Sequence, residues 1–166
     1  MSSKEIRESG MVFAFPEDDL FWIEQCPTVR AIGEGVKVVE MIVRQNNVLV
    51  FIEAKQSSPR PDNQQPFDIF IEEIYEKFRN SLLLFAAISL NREFKKTSHL
   101  PANITPGIIA SAPIRFYLIV KGHRDEWIPP LDEALQLSLG GVQKCFGIAS
   151  VKVINDVTAK KYKLIV

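Results

Sequence analysis

The sequence predicts an α+β fold, with antiparallel strands first and helices laid over them afterwards. Three observations carry this. Two Val/Ile-rich stretches, Val36 to Gln45 and Val48 to Lys55, flank Asn46-Asn47. A helical periodicity runs from Phe67 to about Leu90, and a further apolar run, Ile114 to Lys121, follows it. With 166 residues, 46% of them apolar and 24% charged, the chain suits one domain spanning 1–166 and not chain-wide disorder.

Met11 to Phe15 is a short apolar run, closed by a turn at Pro16-Glu17-Asp18-Asp19. Leu20 to Cys26, with Phe21, Trp22 and Ile23, reads as a strand that Pro27 ends. Gly33-Glu34-Gly35 is a second break. Asparagine tolerates positive φ, so Asn46-Asn47 reads as a two-residue hairpin turn, and positions symmetric about it face each other. One hairpin face carries Val39, Met41, Val43, Val48, Val50, Ile52 and Ala54, and is expected to pack on the main core. The other carries Val38, Glu40, Ile42, Arg44, Leu49, Phe51, Glu53 and Lys55.

A polar, proline-rich loop covers Ser57 to Pro66. In the helix after it, Phe67, Phe70, Ile71, Ile74, Phe78, Leu82 and Phe85 recur at three and four. Asp68, Glu72, Glu73, Glu76, Lys77 and Asn80 form its wet side, and Leu82 to Ile88 is apolar all round, so that end is expected to be buried on several sides. Asn91 to Pro106 is a polar connection. Pro129-Pro130 opens a second helix, Leu131 to about Leu139, with Asp132 and Glu133 in its first turn and Gly140-Gly141 weakening or stopping it. Ser150 to Ile154 and Tyr162 to Val166 read as closing strands, giving the order β-β-β-α-β-α-β-β.

Composition narrows the function classes. No apolar run reaches the ~18 residues of a membrane-spanning helix, so no membrane association is expected. Lys4, Glu5, Arg7 and Glu8 precede the first apolar run, which argues against a secretory signal. Cys26 and Cys145 lack disulfide-framework numbers and zinc-site spacing, and read as reduced thiols of a cytoplasmic protein. His99 and His123 have no acid or cysteine at ligand spacing, and no nucleophile-elbow, Walker or dinucleotide glycine pattern occurs. Net charge is zero, but residues 1–90 hold 14 acids and 9 bases while residues 91–124 hold one acid and six bases. The middle segment is either a basic patch or a solvated loop with scattered lysines.

Glu40 and Glu53 interrupt largely apolar strands, and the hairpin register sets them directly opposite each other, with Lys55 on the same face. Like charges directly opposite are destabilising in a sheet, so removing either acid is expected to raise stability without metal. A divalent cation would account for them. Mg²⁺ takes oxygen ligands, and Glu40, Glu53 and the Ala54 carbonyl supply three. Lys55 would then orient a water or stabilise charge on a phosphate. The bland alternative is an exposed cluster in which Lys55 bridges both glutamates.

The run Val38-Val39-Glu40-Met41-Ile42-Val43, the Asn-Asn turn and Val50-Phe51-Ile52-Glu53-Ala54-Lys55-Gln56-Ser57-Ser58-Pro59 resemble the restriction-endonuclease-like, or PD-(D/E)XK, nuclease superfamily. That superfamily has an acid on one strand of a β-meander, (D/E)xK on the next, then a helix and a strand. The resemblance covers roughly residues 20–121. It implies a mixed sheet with a β-β-β-α-β core plus a C-terminal helix and strands. It also implies a Mg²⁺- or Mn²⁺-dependent nuclease acting on DNA, with Glu40, Glu53 and Lys55 catalytic and Glu40, Glu53 and Ala54 holding the metal. The chain departs from it in having Glu rather than Asp first, no proline before Glu40, no QxxxY signature on the helix, and only Ser3 to Glu8 for an opening helix.

Glu24 is a further candidate ligand, and Gln56, Ser57 and Ser58 are candidate phosphate contacts; strand-end polarity explains each equally well. Lys95, Lys96, Lys121 and Arg124 are the cations offered to nucleic acid. Glu73 and Lys77 either look toward the site or belong to the solvated helix face. The alternative function is a catalytically inactive nuclease-fold subunit of a larger nucleic-acid-processing or defence assembly. A protein partner or a homodimer is left open: a single active site cuts one strand, so double-strand cleavage would call for a dimer.

Overall fold

The computed structural model describes residues 2–166. The chain opens with a hairpin of β1 (Ser3–Glu8) and β2 (Met11–Pro16), turned by Ser9 and Gly10, both at positive φ. The segment offered as an opening helix is therefore a strand. Next come β3 (Leu20–Phe21), α1 (Pro27–Ile32), β4 (Met41–Gln45), β5 (Val48–Lys55) and α2 (Gln64–Ser89). They are followed by α3 (Ile108–Ser111), β6 (Ile114–Val120), α4 (Ile128–Phe146), β7 (Ser150–Asn155) and α5 (Asp156–Lys161).

The α+β class holds. Strands β3 to β7 form one mixed sheet in chain order, antiparallel as far as β5 and parallel from β5 to β7. Each parallel step needs a crossover, and α2 and α4 provide one each. Both helices pack on the same sheet face. Asn46 and Asn47 take φ of 50° and 62°, the conformation of a two-residue hairpin with matching twist, and Met41 pairs Ile52 as the sequence predicts. Asn47→Val is expected to cost about 1–2 kcal/mol, read as a lower urea midpoint, because a β-branched residue resists positive φ.

The two hairpin faces are reversed relative to expectation. The wholly apolar face, with Met41, Val43, Val50, Ile52 and Ala54, meets β1, β2 and the C-terminal segment in the smaller core. The mixed face, with Ile42, Leu49 and Phe51, meets α2 and α4 in the larger one. There Phe78 and Phe116 stack at 4.7 Å and Phe51 lies 5.2 Å from Phe116. Glu40 and Glu53 are thus carried into the main core and not out to solvent.

Four further expectations change. The strand expected from Leu20 to Cys26 ends at Phe21; a 3-10 turn at Ile23–Gln25 and α1 replace it, since Pro27 is well placed in a helix's first turn. Helix α4 runs through Gly140-Gly141 to Phe146, anchored by buried Leu131, Leu135 and Leu139, and ends at Gly147 in the left-handed region. The expected strand at Tyr162–Val166 is instead an irregular tail that follows α5, bent at Lys163 (φ 57°) and tied by Val166 N–H to the Val12 carbonyl. The late part of α2 is buried on several sides except at Leu83, which is 70% exposed. At the sheet's last strand, the Asp132 carboxylate of α4 accepts the Val153 N–H at 2.7 Å and the Gln136 amide at 2.7 Å. No helix among the described residues is long and apolar enough to cross a membrane.

Candidate functional site

Glu53 sits near the end of β5 with its side chain turned under α2, fully buried. The β4 ladder begins at Met41, so Glu40 is one residue before it, in an extended segment that α2 holds in place. Ser81 accepts the Val39 N–H at 2.8 Å and donates to the Lys77 carbonyl at 2.7 Å. Asn80 donates to the Lys37 carbonyl at 3.1 Å. Glu40 is 5% exposed.

Between these carboxylates lies Lys77, from the fourth turn of α2. Its Nζ is 2.7 Å from Glu53 Oε1 and 3.8 Å from Glu40 Oε1. Lys55 Nζ is 3.4 Å from Glu53 Oε1 and donates to Glu73 Oε1 at 2.9 Å. The wet-side assignment of Lys77 is therefore wrong, and Glu73 looks toward the site. The signal was present: Lys77 follows Ile74 by three and precedes Ser81 by four, on the same buried stripe. Glu24 leaves its predicted strand for the 3-10 turn, yet it stays beside Glu40, its N–H donating to the Glu40 carbonyl at 3.5 Å.

Four carboxyls and two ammoniums thus meet in one place, and burial governs their chemistry. Desolvation, then the Glu24 side chain and the neighbouring Glu53 charge, push Glu40 up to about 9 against the pull of Lys77. Burial pushes Glu53 up as well, opposed by Lys77 and Lys55. For Lys55, burial pulls downward, but the Glu73 hydrogen bond and the two carboxylates outweigh it and raise its pKa. The Lys55 hydrogen bond holds Glu73 below the usual carboxylate range.

Among the described residues, no three acid, histidine or cysteine side chains are arranged to hold a metal ion. The two carboxylates do have spare capacity. Glu40 Oε2 and Glu53 Oε2 are buried without a hydrogen-bond partner, which buried polar atoms rarely tolerate. The Ala54 carbonyl accepts the Ser9 hydroxyl at 3.0 Å. Mg²⁺ commonly takes one or two carboxylates and keeps its waters, so this donor set suits it.

Lys77 also alters the stability expectation. Glu53 is not simply a repelled partner of Glu40 but the counter-ion of a buried lysine, so its removal is expected to destabilise. Only Glu40 retains the original sign.

Gln56 is exposed and lines a cleft of about 750 Å³ at the carboxyl ends of β5 and β6, with Ser57, Ser58, Phe67, His123 and Trp127. Ser58 Oγ lies 3.5 Å from His123 Nε2, and burial holds the His123 imidazole below its ordinary pKa. Of the four expected cations Lys121 lines this cleft, and Lys95, Lys96 and Arg124 do not. Lys95 and Lys96 are exposed on the Phe94–Lys96 turn beside α1. Lys121 turns its ammonium over Gly10, where an added Cβ would meet Nζ at 2.6 Å. Arg124 lies over the Trp127 ring and pairs with Glu126 at 3.8 Å. Both cysteines are free, Cys26 buried and Cys145 exposed. The chain matches no protein-family model, no curated protein and no solved structure.

Proposed function

We propose that this chain is a restriction-endonuclease-like, Mg²⁺- or Mn²⁺-dependent nuclease that hydrolyses phosphodiester bonds in DNA. The observation that carries the reading is the pair of buried carboxylates, Glu40 and Glu53, each with an oxygen lacking a partner, beside Lys55 on the same strand. Their setting agrees with it: an antiparallel meander bearing both acids, then a helix, then a strand parallel to β5. Glu40, Glu53 and the Ala54 carbonyl would hold the ion. When bound, it would polarise a phosphoryl oxygen and lower the pKa of a coordinated water. Lys55, partly exposed and hydrogen-bonded to Glu73, is placed to orient that water or meet charge on the phosphate. The cleft holding Gln56 gives the strand a place to lie.

A second reading rests on Lys77. Its ammonium already stands between the acids, and an internal cation can serve where a metal would. That favours an inactive nuclease-fold module, a binding or structural subunit of a larger assembly.

Two measurements separate these. Calorimetric titration of Mg²⁺ or Mn²⁺ into wild type is expected to give a binding isotherm and a rise in Tm that Glu40→Gln lacks, since a ligand of the native state stabilises it by linkage. Incubation with supercoiled and single-stranded DNA is then expected to give cleavage that Lys55→Ala abolishes. Metal binding without cleavage leaves the second reading, and no metal response in wild type removes the nuclease.

A further inference from the structure

The sheet face turned away from the acid–lysine cluster holds a cavity of about 490 Å³, within the range of small-molecule sites. It lies at the Arg115 end of β6 and the Ser150 end of β7, beside the Asn46-Asn47 turn. The strand register sets Arg115 opposite Ser150 and Tyr117 opposite Lys152. The guanidinium and the ammonium are therefore diagonal neighbours on one face of adjacent strands. Arg115 and Lys152 are both exposed.

No carboxylate lines the cavity. Among the described residues, neither cation has an acid within salt-bridge distance. Two neighbouring cations without a counter-ion repel, and a bound anion relieves the repulsion. The C-terminal stretch adds to the same sign: residues 150–166 hold Lys152, Lys160, Lys161 and Lys163 against Asp156 alone. The Asp156 carboxylate is itself engaged by the Gly122 N–H at 2.7 Å.

Gln45, Asn46 and Ser150 add neutral polar groups to the lining, and the remainder is apolar and aromatic. Val48 and Val50 contribute from β5, and the tail supplies Tyr162, 43% exposed, with its ring 6.1 Å from that of Tyr117. Gln45 fixes this wall, its amide donating to the Tyr162 and Lys163 carbonyls at 3.2 and 3.4 Å. A cation pair next to an exposed aromatic ring is the chemistry that holds a phosphate and a planar base together. Arginine's fork matches phosphate oxygens, and bases stack on aromatic side chains whatever their identity.

We infer that this cavity binds a nucleoside phosphate, with the phosphate between Arg115 and Lys152 and the base against Tyr162. The site is independent of the nuclease reading, because Glu53 and Lys77 lie on the other face of the sheet. The ligand has two sources, a free nucleotide or the terminal nucleotide of a strand.

Calorimetry in EDTA, with no metal available, tests it using three probes: adenosine 5′-monophosphate, inorganic phosphate and an unstructured oligodeoxynucleotide of about eight residues. The mononucleotide is expected to bind at least about tenfold tighter than phosphate. Arg115→Glu and Lys152→Glu should each weaken it by about tenfold or more, with melting curves unchanged because both residues are exposed. Tyr162→Ala should weaken the mononucleotide and leave phosphate alone. An oligonucleotide that binds tighter than the mononucleotide, with strong salt dependence, assigns the site to a strand end; equal or weaker binding assigns it to a free nucleotide. The inference is overturned by failure of both nucleotide probes to bind at millimolar concentration. It is equally overturned by binding that survives the Arg115 and Lys152 changes, or by phosphate binding as tightly as the mononucleotide.

Discussion

Glu53→Ala destabilises the protein by about 3–5 kcal/mol in the expected result, seen as a fall in the urea midpoint with an unchanged slope. The cause is the lysine left behind. Lys77 is buried, and its shortest ionic contact is the 2.7 Å one to Glu53; without it an ammonium remains in the core with only Glu40 at 3.8 Å. Removing one member of a buried pair is far more damaging than removing both, because apolar replacements need no desolvation. Glu53→Leu combined with Lys77→Met is therefore expected to recover most of the loss. A Glu53→Ala protein within about 1 kcal/mol of wild type would show that Lys77 finds solvent and that the cluster is not buried in solution.

In EDTA, wild type should lose stability steadily as pH rises from about 5 to 9. The Glu40 carboxyl has a pKa of about 9 in the folded chain against an ordinary 4.5. The native state thus keeps a proton that the unfolded chain releases over that interval. Stability from this group is complete below the unfolded value and is lost as pH climbs through the folded one, with a slope of up to about 1.4 kcal/mol per pH unit. Glu24, Glu53 and Lys77 face this carboxyl. Comparison with Glu40→Gln isolates its part: the variant is expected to be the more stable at pH 8 and to have a much flatter profile between pH 5 and 8. Parallel profiles in the two proteins would mean that Glu40 is ionised at neutral pH, held so by Lys77.

The hairpin was legible because a tolerant turn pair and a two-residue alternation gave the same register. That register also brought Glu40, Glu53 and Lys55 to one face. Which face met the helices was not legible, since β5 is buried on both sides and apolar residues occupy each. Lys77 was missed for a related reason. A lysine on a helix is usually solvated, and only knowledge of two acids across the gap makes its burial sensible. The continuation of α4 past Gly140-Gly141 is tertiary packing overriding a propensity cost of about 1 kcal/mol per glycine. The C-terminal tail had strand-like composition, yet Lys163 bends it and Gln45 holds it as the wall of a cavity.

The hydrogen bond from Val153 to Asp132 governs how this molecule meets others. Strand β7 borders the sheet, and an open border recruits a foreign strand through its free amides. Asp132 occupies one of them with a helix side chain, and the opposite border, β3, is two residues long. The sheet thus offers little template at either end for β-augmentation or for runaway stacking of copies. Neither border of this five-stranded sheet favours the addition of a strand from a second protein. Asp132→Ala frees that amide and is expected to raise self-association, read by light scattering.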